Sequence, residues 1–216
     1  MAFASKIGIV LLGLALSATA THAAGIMLFE KPDPTAIAAT TYGKTLPPIG
    51  YVEFCGRGED ECKFASGKAE ALTVNTTNWN QLRQVNHYVN TRIRPATDRE
   101  LYGVPDYWTY PIDAGDCEDY VLLKKRYLQG LGVNPDQLLI TVVLDENLDG
   151  HAVLTVITDK GDYVLDNRRQ EILLWNQTGY TFLKRQSQEQ ATKWVSLQKA
   201  PTLNTAAQIP VGTKSD

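Results

Sequence analysis

The feature that most constrains this chain is a change of hydrophobic period near its middle. Before residue 131 apolar residues recur at helical spacings, and from residue 138 onward they form β-branched runs. Trp79, Leu82, Val85, Val89 and Ile93 make one face of a helix that starts near Thr77. It must end before Pro95, because proline biases Arg94 away from helical geometry. A second helix is expected from Asp116 to Leu131, with Tyr120, Val121, Tyr127, Leu128 and Leu131 directed inward and Gly132 ending it. Asp116 suits the N-cap, and Asp119, three residues on, reproduces an acidic capping box. Strands are expected over residues 138–144, 152–158, 163–165, 181–184 and 193–197, with a turn at Asp159-Lys160-Gly161-Asp162. Helices first and strands later, joined by short connections, imply an α+β domain with an antiparallel sheet.

The ends read differently. Lys6 precedes an apolar stretch from Ile7 to Ala18, followed by small residues that offer cleavage after Ala20 or Ala23. The stretch is shorter than the ~20 residues a membrane span needs, so residues 1–23 read as a cleaved export signal and the mature chain as periplasmic. Residues 24–46 read as an extended approach, 47–199 as a single domain and 200–216 as a polar tail. About 190 residues remain after the signal, enough for one sizeable core. Loss of Lys6 leaves 20 basic residues against 24 acidic ones, and this balance lacks the basic footprint of a nucleic-acid binder. Three cysteines in an exported chain leave one over. Cys55 and Cys62 flank a glycine- and charge-rich segment that a disulfide can close, which leaves Cys117 free.

Cys117 is the second residue of the expected helix, where unsatisfied N–H groups and the helix dipole stabilise a thiolate. Many cysteines at such positions are simply buried. His87 lies on the first helix and reads as a partly exposed helical residue, whereas His151 opens the strand 152–158. Asp166 ends the next strand, so one hairpin can bring it beside His151. Cys117 as nucleophile, His151 as proton relay and Asp166 as its orienting carboxylate would form a triad. Asp166 also reads as a turn aspartate before Asn167-Arg168-Arg169.

These residues resemble the bacterial transglutaminase-like cysteine proteinases, the family of the LapG-type periplasmic proteases. The resemblance runs from Pro47-Pro48-Ile49-Gly50 to about Leu197. It includes Val85-Asn86 and Val89-Asn90, Gly115-Asp116-Cys117-Glu118-Asp119-Tyr120, Gly150-His151-Ala152 and Leu165-Asp166-Asn167. It implies a papain-like or transglutaminase-like core and an endopeptidase with Cys117, His151 and Asp166 as the triad. It also implies a protein substrate, a large surface adhesin first among the candidates, and regulation by an inner-membrane receptor. The same thioester chemistry could end in transamidation or deamidation of protein glutamine, and the fold could also serve as a binding module without turnover.

Asp113, Asp116, Glu118 and Asp119 crowd Cys117, and negative charge opposes thiolate formation. A divalent cation would relieve the conflict, and hard carboxylate oxygens suit calcium. The resemblance implies a calcium-dependent enzyme with Asp116 and Glu118 as ligands, and Asp113 is the expected third. The same acids could instead serve the helix terminus without a metal. Tyr107, Trp108 and Tyr110, in a loop expected over residues 96–115, either border a substrate or partner groove or pack into the core.

Overall fold

In the computed structural model, which describes residues 29, 31–63 and 70–199, the change of period becomes four helices followed by most of one sheet. The expected signal and the tail from residue 200 lie outside the described residues. In chain order the elements are β1 (Lys44–Thr45), α1 (Ile49–Gly56), α2 (Thr76–Arg92), β2 (Arg94–Pro95), α3 (Asp98–Tyr102), β3 (Ala114–Gly115) and α4 (Cys117–Gly130). Then come β4 (Leu138–Leu144), β5 (Gly150–Thr158), β6 (Gly161–Leu165), β7 (Leu173–Leu174), β8 (Thr181–Gln186) and β9 (Trp194–Ser196). Seven strands form one antiparallel sheet in the order β1-β9-β8-β4-β5-β6-β7, and β2 pairs with β3 in a separate parallel ladder. The α+β class with an antiparallel sheet is therefore the fold observed. Among the described residues no helix is long and apolar enough to cross a membrane.

Both faces of the sheet are covered, so its central strands carry apolar residues at nearly every position. On one face Leu138, Ile140 and Val142 of β4 and Ala152, Leu154 and Val156 of β5 join Leu82, Val85 and Val89 of α2 and Tyr120, Val121 and Leu128 of α4. The alternate residues Val143, Val153, Val164 and Phe182 pack on the other face with Trp175, Tyr180 and Leu197. That second face is crossed by the segment before β1. Trp175 Nε1 donates to Ala36 O at 2.8 Å, and the Asp162 N–H donates to Ile37 O at 2.8 Å. Gly161, at φ +121°, permits the crossing, since a Cβ there would lie 2.5 Å from Ile37 O.

Several local expectations change. α1 occupies a region read as extended chain and loop, so Cys55 sits in its last turn. Its apolar residues do not sort by face, because Tyr51 and Phe54 are buried while Ile49 and Val52 are exposed, and an eight-residue helix of this kind lacks a periodic signal. α3 interrupts the expected loop 96–115. It is announced by the capping box Thr97/Glu100 and closed by Gly103 at φ +74°. The expected cap on α4 is also absent: Asp116 holds the N-cap position, but its side chain makes no capping hydrogen bond.

Cys55 and Cys62 form the expected disulfide, leaving Cys117 as the free cysteine. The closed ring also holds Glu61, whose Oε1 meets Lys125 Nζ of α4 at 2.7 Å in a wholly buried pair. Lys125 Nζ donates to Gln186 Oε1 at 2.8 Å, so the ring is tied to both α4 and β8.

Candidate active site

The position of Cys117 is prepared by a close approach before α4. Gly115 pairs with Pro95 across β2 and β3, and a Cβ on it would lie 2.5 Å from Asp119 Oδ2, so only glycine lets the chain turn here. Cys117 follows as the first residue of α4 and is 7 % exposed. Across from it runs β5, and the Ala152 N–H donates to Cys117 Sγ at 3.4 Å.

His151 lies inside β5, opposite Val143, one position deeper than a strand-opening residue. The β5–β6 hairpin returns Asp166 to it, and His151 Nε2 lies 2.9 Å from Asp166 Oδ1. The Arg168 N–H donates to the same carboxylate oxygen at 3.0 Å, and Tyr180 Oη donates to Oδ2 at 2.6 Å. Asn90 Nδ2 donates to Asp166 O at 2.8 Å, anchoring the turn to α2. Burial opposes ionisation of Asp166, but the bonds from His151, Tyr180 and Arg168 outweigh it and hold the carboxyl below its usual range. Imidazole Nδ1, the nitrogen turned away from Asp166, is buried without a hydrogen-bond partner. Cys117, His151 and Asp166 are thus brought together, with the imidazole held from behind and its second nitrogen unengaged.

Around the thiol the acids dominate. Cys117 Sγ donates to Glu118 Oε2 at 3.2 Å. Burial, then the charge of Asp116, pushes the thiol well up, so the helix start alone does not activate it. Asp98, Asp116 and Glu118 present oxygens that all lie within 4.8 Å of one another. Burial raises Asp98 to about 6 and Asp116 to about 7, and it raises Glu118 and Asp119 well above the ordinary range, each with neighbouring carboxylates adding to the effect. Asp98 Oδ1, Asp116 Oδ1, Glu118 Oε1 and Asp119 Oδ2 are buried with no hydrogen-bond donor. Crowded acids that each keep one buried oxygen without a donor match what a hard cation requires.

This set corrects the expected one. Asp113 is exposed and lies outside the cluster, and Asp98 takes its place. Asp98 arrives through α3, the element that a loop reading of residues 96–115 overlooked, and the Thr97-x-x-Glu100 pattern was its signal. Tyr180, whose hydroxyl bonds Asp166, was also missed, and no sequence pattern links it to the site.

Trp108 does not border a groove. It is wholly buried, 5.5 Å from the Tyr51 ring, and a Cβ on Gly50 would lie 2.4 Å from its Cδ1. Packing under the loop therefore accounts for this residue. Tyr107 is half-buried beneath the Arg57 guanidinium at 4.5 Å, and Tyr110, also half-buried, packs on Phe54 and Arg126. With Glu59, Glu61 and Gln129, Tyr110 lines a cleft of about 240 Å³ beside the disulfide.

A buried free cysteine at a helix start, facing a strand that carries a histidine hydrogen-bonded to an aspartate, is the arrangement of a transglutaminase-like cysteine protease. The chain belongs to the bacterial transglutaminase-like cysteine proteinases: the model of that family matches residues 41–202. Among solved structures it is similar to calcium-bound LapG of Legionella pneumophila, with 26% identity and a TM-score of 0.48 over 56% of this chain and 71% of that one. It is also similar to LapG of the same organism in two further structures, one of them EGTA-treated. Both are 28% identical over 50% of this chain and 62% of theirs, with TM-scores of 0.44 and 0.45. No curated protein matches it.

Proposed function

We propose that the protein is an exported endopeptidase in which Cys117 attacks a peptide carbonyl, His151 relays the proton and Asp166 orients the imidazole. The observation that carries this reading is the 2.9 Å bond between His151 and Asp166, set one residue from the backbone N–H that meets Cys117 Sγ. Sγ forms a bond to the carbonyl carbon as its proton passes to His151. His151 then gives that proton to the departing amine, and water, deprotonated by the same imidazole, releases the acyl group. The Cys117 N–H at the helix start is a donor for the developing oxyanion. Asp166, held by Tyr180 and Arg168, keeps His151 in one orientation through both transfers.

Asp98, Asp116 and Glu118, with Asp119 beside them, are the residues that would hold calcium. A bound cation would supply positive charge that offsets the carboxylates around the thiol. The disulfide and the apolar segment after Lys6 support export to an oxidising compartment, for which the periplasm is our reading. Within the family, release of a large surface adhesin under control of an inner-membrane receptor is the role we assign. Comparative proteomics of cells carrying wild-type or Cys117→Ala protein tests it. A surface protein retained and uncleaved only in the variant supports the assignment, and identical surface and secreted proteomes would refute it.

A further inference from the structure

Leu148 carries its side chain on a backbone that disfavours one. Among the described residues it is the only non-glycine with a positive φ, at +65°, and this left-handed region brings Cβ against the following carbonyl. It stands in the turn between β4 and β5. The Leu148 N–H donates to Asp145 O at 3.1 Å, and the Asp145 N–H donates to Asp149 O at 2.9 Å. Asp145 Oδ1 accepts from the N–H groups of Asn147 at 2.8 Å and Asp149 at 2.9 Å. A hairpin turn of this form favours glycine at its left-handed position. Packing does not offset the strain of leucine there, because the side chain is 66 % exposed.

The place of the turn gives the leucine a use. His151 pairs with Val143, and the next pair, Leu144 with Gly150, closes the ladder, so the turn stands one step beyond His151. At about 3.3 Å per residue, Leu148 lies roughly 10–13 Å along the strand from the Ala152 N–H that meets Cys117 Sγ. An extended peptide covers that distance in about three or four residues. The turn is also fixed to the segment that holds Asp166. Arg168 Nη1 donates to Asp145 Oδ2 at 2.8 Å, Arg169 Nη2 donates to Glu146 Oε1, and the Arg168 N–H donates to Asp166. The Arg169 guanidinium lies 5.0 Å from the ring of Tyr180, whose hydroxyl bonds Asp166. An exposed apolar side chain on a strained backbone is thus clamped to the residues around His151.

We propose that Leu148 is a substrate-binding residue of the protease, whose side chain receives an apolar side chain of the substrate about three residues from the scissile bond. An extended peptide laid across Cys117 passes the β4–β5 turn, and two apolar groups that leave water together there add to binding. Glycine in the same turn would relieve the backbone and leave the peptide nothing to bury against. Stability and recognition therefore pull position 148 in opposite directions, as they do where strain is stored at a ligand contact.

This inference rests on the reading of Cys117 as nucleophile, and the test separates the two. Cys117 is the free thiol beside a bridged pair, so an equimolar mixture of iodoacetamide and N-hexyl-iodoacetamide gives two Cys117 adducts that intact mass distinguishes. In calcium buffer at one fixed pH, their ratio cancels the reactivity of the thiol and reports what the hexyl arm meets. Relative to the ratio in urea-unfolded protein, folded wild type should favour the hexyl adduct by about fivefold or more. Leu148→Met should keep that preference, and Leu148→Gly and Leu148→Asn should lose it. Leu148→Gly should also melt about 2–4 °C above wild type, whereas a packing role would lower the melting temperature. The same adduct ratio in wild type and in the Gly and Asn variants would overturn the proposal, and so would a melting temperature lowered in both. If folded wild type takes up neither reagent while the unfolded protein takes up both, Cys117 is not an accessible nucleophile, and the triad reading fails together with this inference.

Discussion

The Ala152 N–H points at Cys117 Sγ from 3.4 Å, joining β5, the strand of His151, to the start of α4. Because Ala152 directly follows His151, this one contact sets the height of the imidazole relative to the thiol. It is a backbone donor, so a change at position 152 removes the donor itself only where proline is introduced. The geometry of the pair therefore depends on how α4 packs against β5.

Cys117→Ala and His151→Ala should each abolish cleavage of the protein substrate while leaving the circular dichroism spectrum and melting temperature close to wild type. Asp166→Asn should reduce turnover by about 10³- to 10⁴-fold, because an amide can keep the contact with His151 but favours the wrong tautomer. Tyr180→Phe, which removes one of the bonds to Asp166, should cost roughly tenfold in turnover, in line with losing one hydrogen bond to a charged group. Rates for purified, folded variants check each step.

Calorimetric titration with calcium should show that Asp98→Asn weakens binding as much as Asp116→Asn or Glu118→Gln, by about tenfold or more, while Asp113→Asn leaves it unchanged. EGTA should suppress cleavage, and calcium but not magnesium should restore it. Tight calcium binding by the Asp98 variant would remove that residue from the ligand set.

The acid cluster also sets an unusual dependence of stability on pH. Asp98 and Asp116 are raised to about 6 and about 7 in the folded protein, against an ordinary value of about 4 when unfolded. Between pH 4 and 7 the folded state therefore binds more protons, and stability falls as pH rises, at up to ~1.4 kcal/mol per pH unit for each proton of difference. Lys124, lowered to about 7, and Lys184, lowered to about 8, act in the opposite sense. Above those values the unfolded state binds more protons, so stability recovers as pH rises further. Melting in EGTA should accordingly show a minimum near neutrality, and calcium should fill it in. A melting temperature in EGTA that rises steadily from pH 5 to 7 would contradict this account.

Glu61→Leu should destabilise the fold by about 3–5 kcal/mol in urea unfolding, since it leaves the Lys125 ammonium buried opposite an apolar group. Lys125→Met in the same chain should recover most of that loss. Cys55→Ser with Cys62→Ser should cost about 2.5 kcal/mol through loop-closure entropy, while Cys117 remains alkylated at its usual rate.

Trp108→Ala should lower stability by about 3–5 kcal/mol, as expected for an aromatic ring removed from a closed core. Gly50→Ala should also destabilise, because the Cβ it adds meets that ring at 2.4 Å. Calcium affinity measured on the surviving folded fraction should stay at the wild-type level.

What the residues alone disclosed follows the strength of each local signal. The seventeen residues of α2 and the seven of β4 carry sustained periodic patterns, and both elements lie where those patterns put them. The positions of Cys117, His151 and Asp166 were also readable, because a helix start and one hairpin suffice to bring them together. Asp98 was not, since the element that delivers it has five residues and was hidden by a loop rich in aromatics. Trp108 was ambiguous for a different reason: burial of a ring depends on what the rest of the chain places over it, here Gly50 and Tyr51. Tyr180 reaches Asp166 only through the folded sheet, and no local pattern records such a contact.

The pairing of β1 with β9 sets Lys44 opposite Val195, so two segments about 150 residues apart share a ladder. A chain made from its N-terminus must hold the segment through residue 45 unpaired until residue 195 has been delivered, and contacts of such long range form slowly. The strap across the outer sheet face waits in the same way for Trp175. A growing chain can therefore contain Cys117, His151 and Asp166 while one face and one edge of the sheet beneath them are still open. Completion of the fold, and with it the seat of Cys117 between α4 and β5, is therefore deferred until the chain through residue 196 has been made.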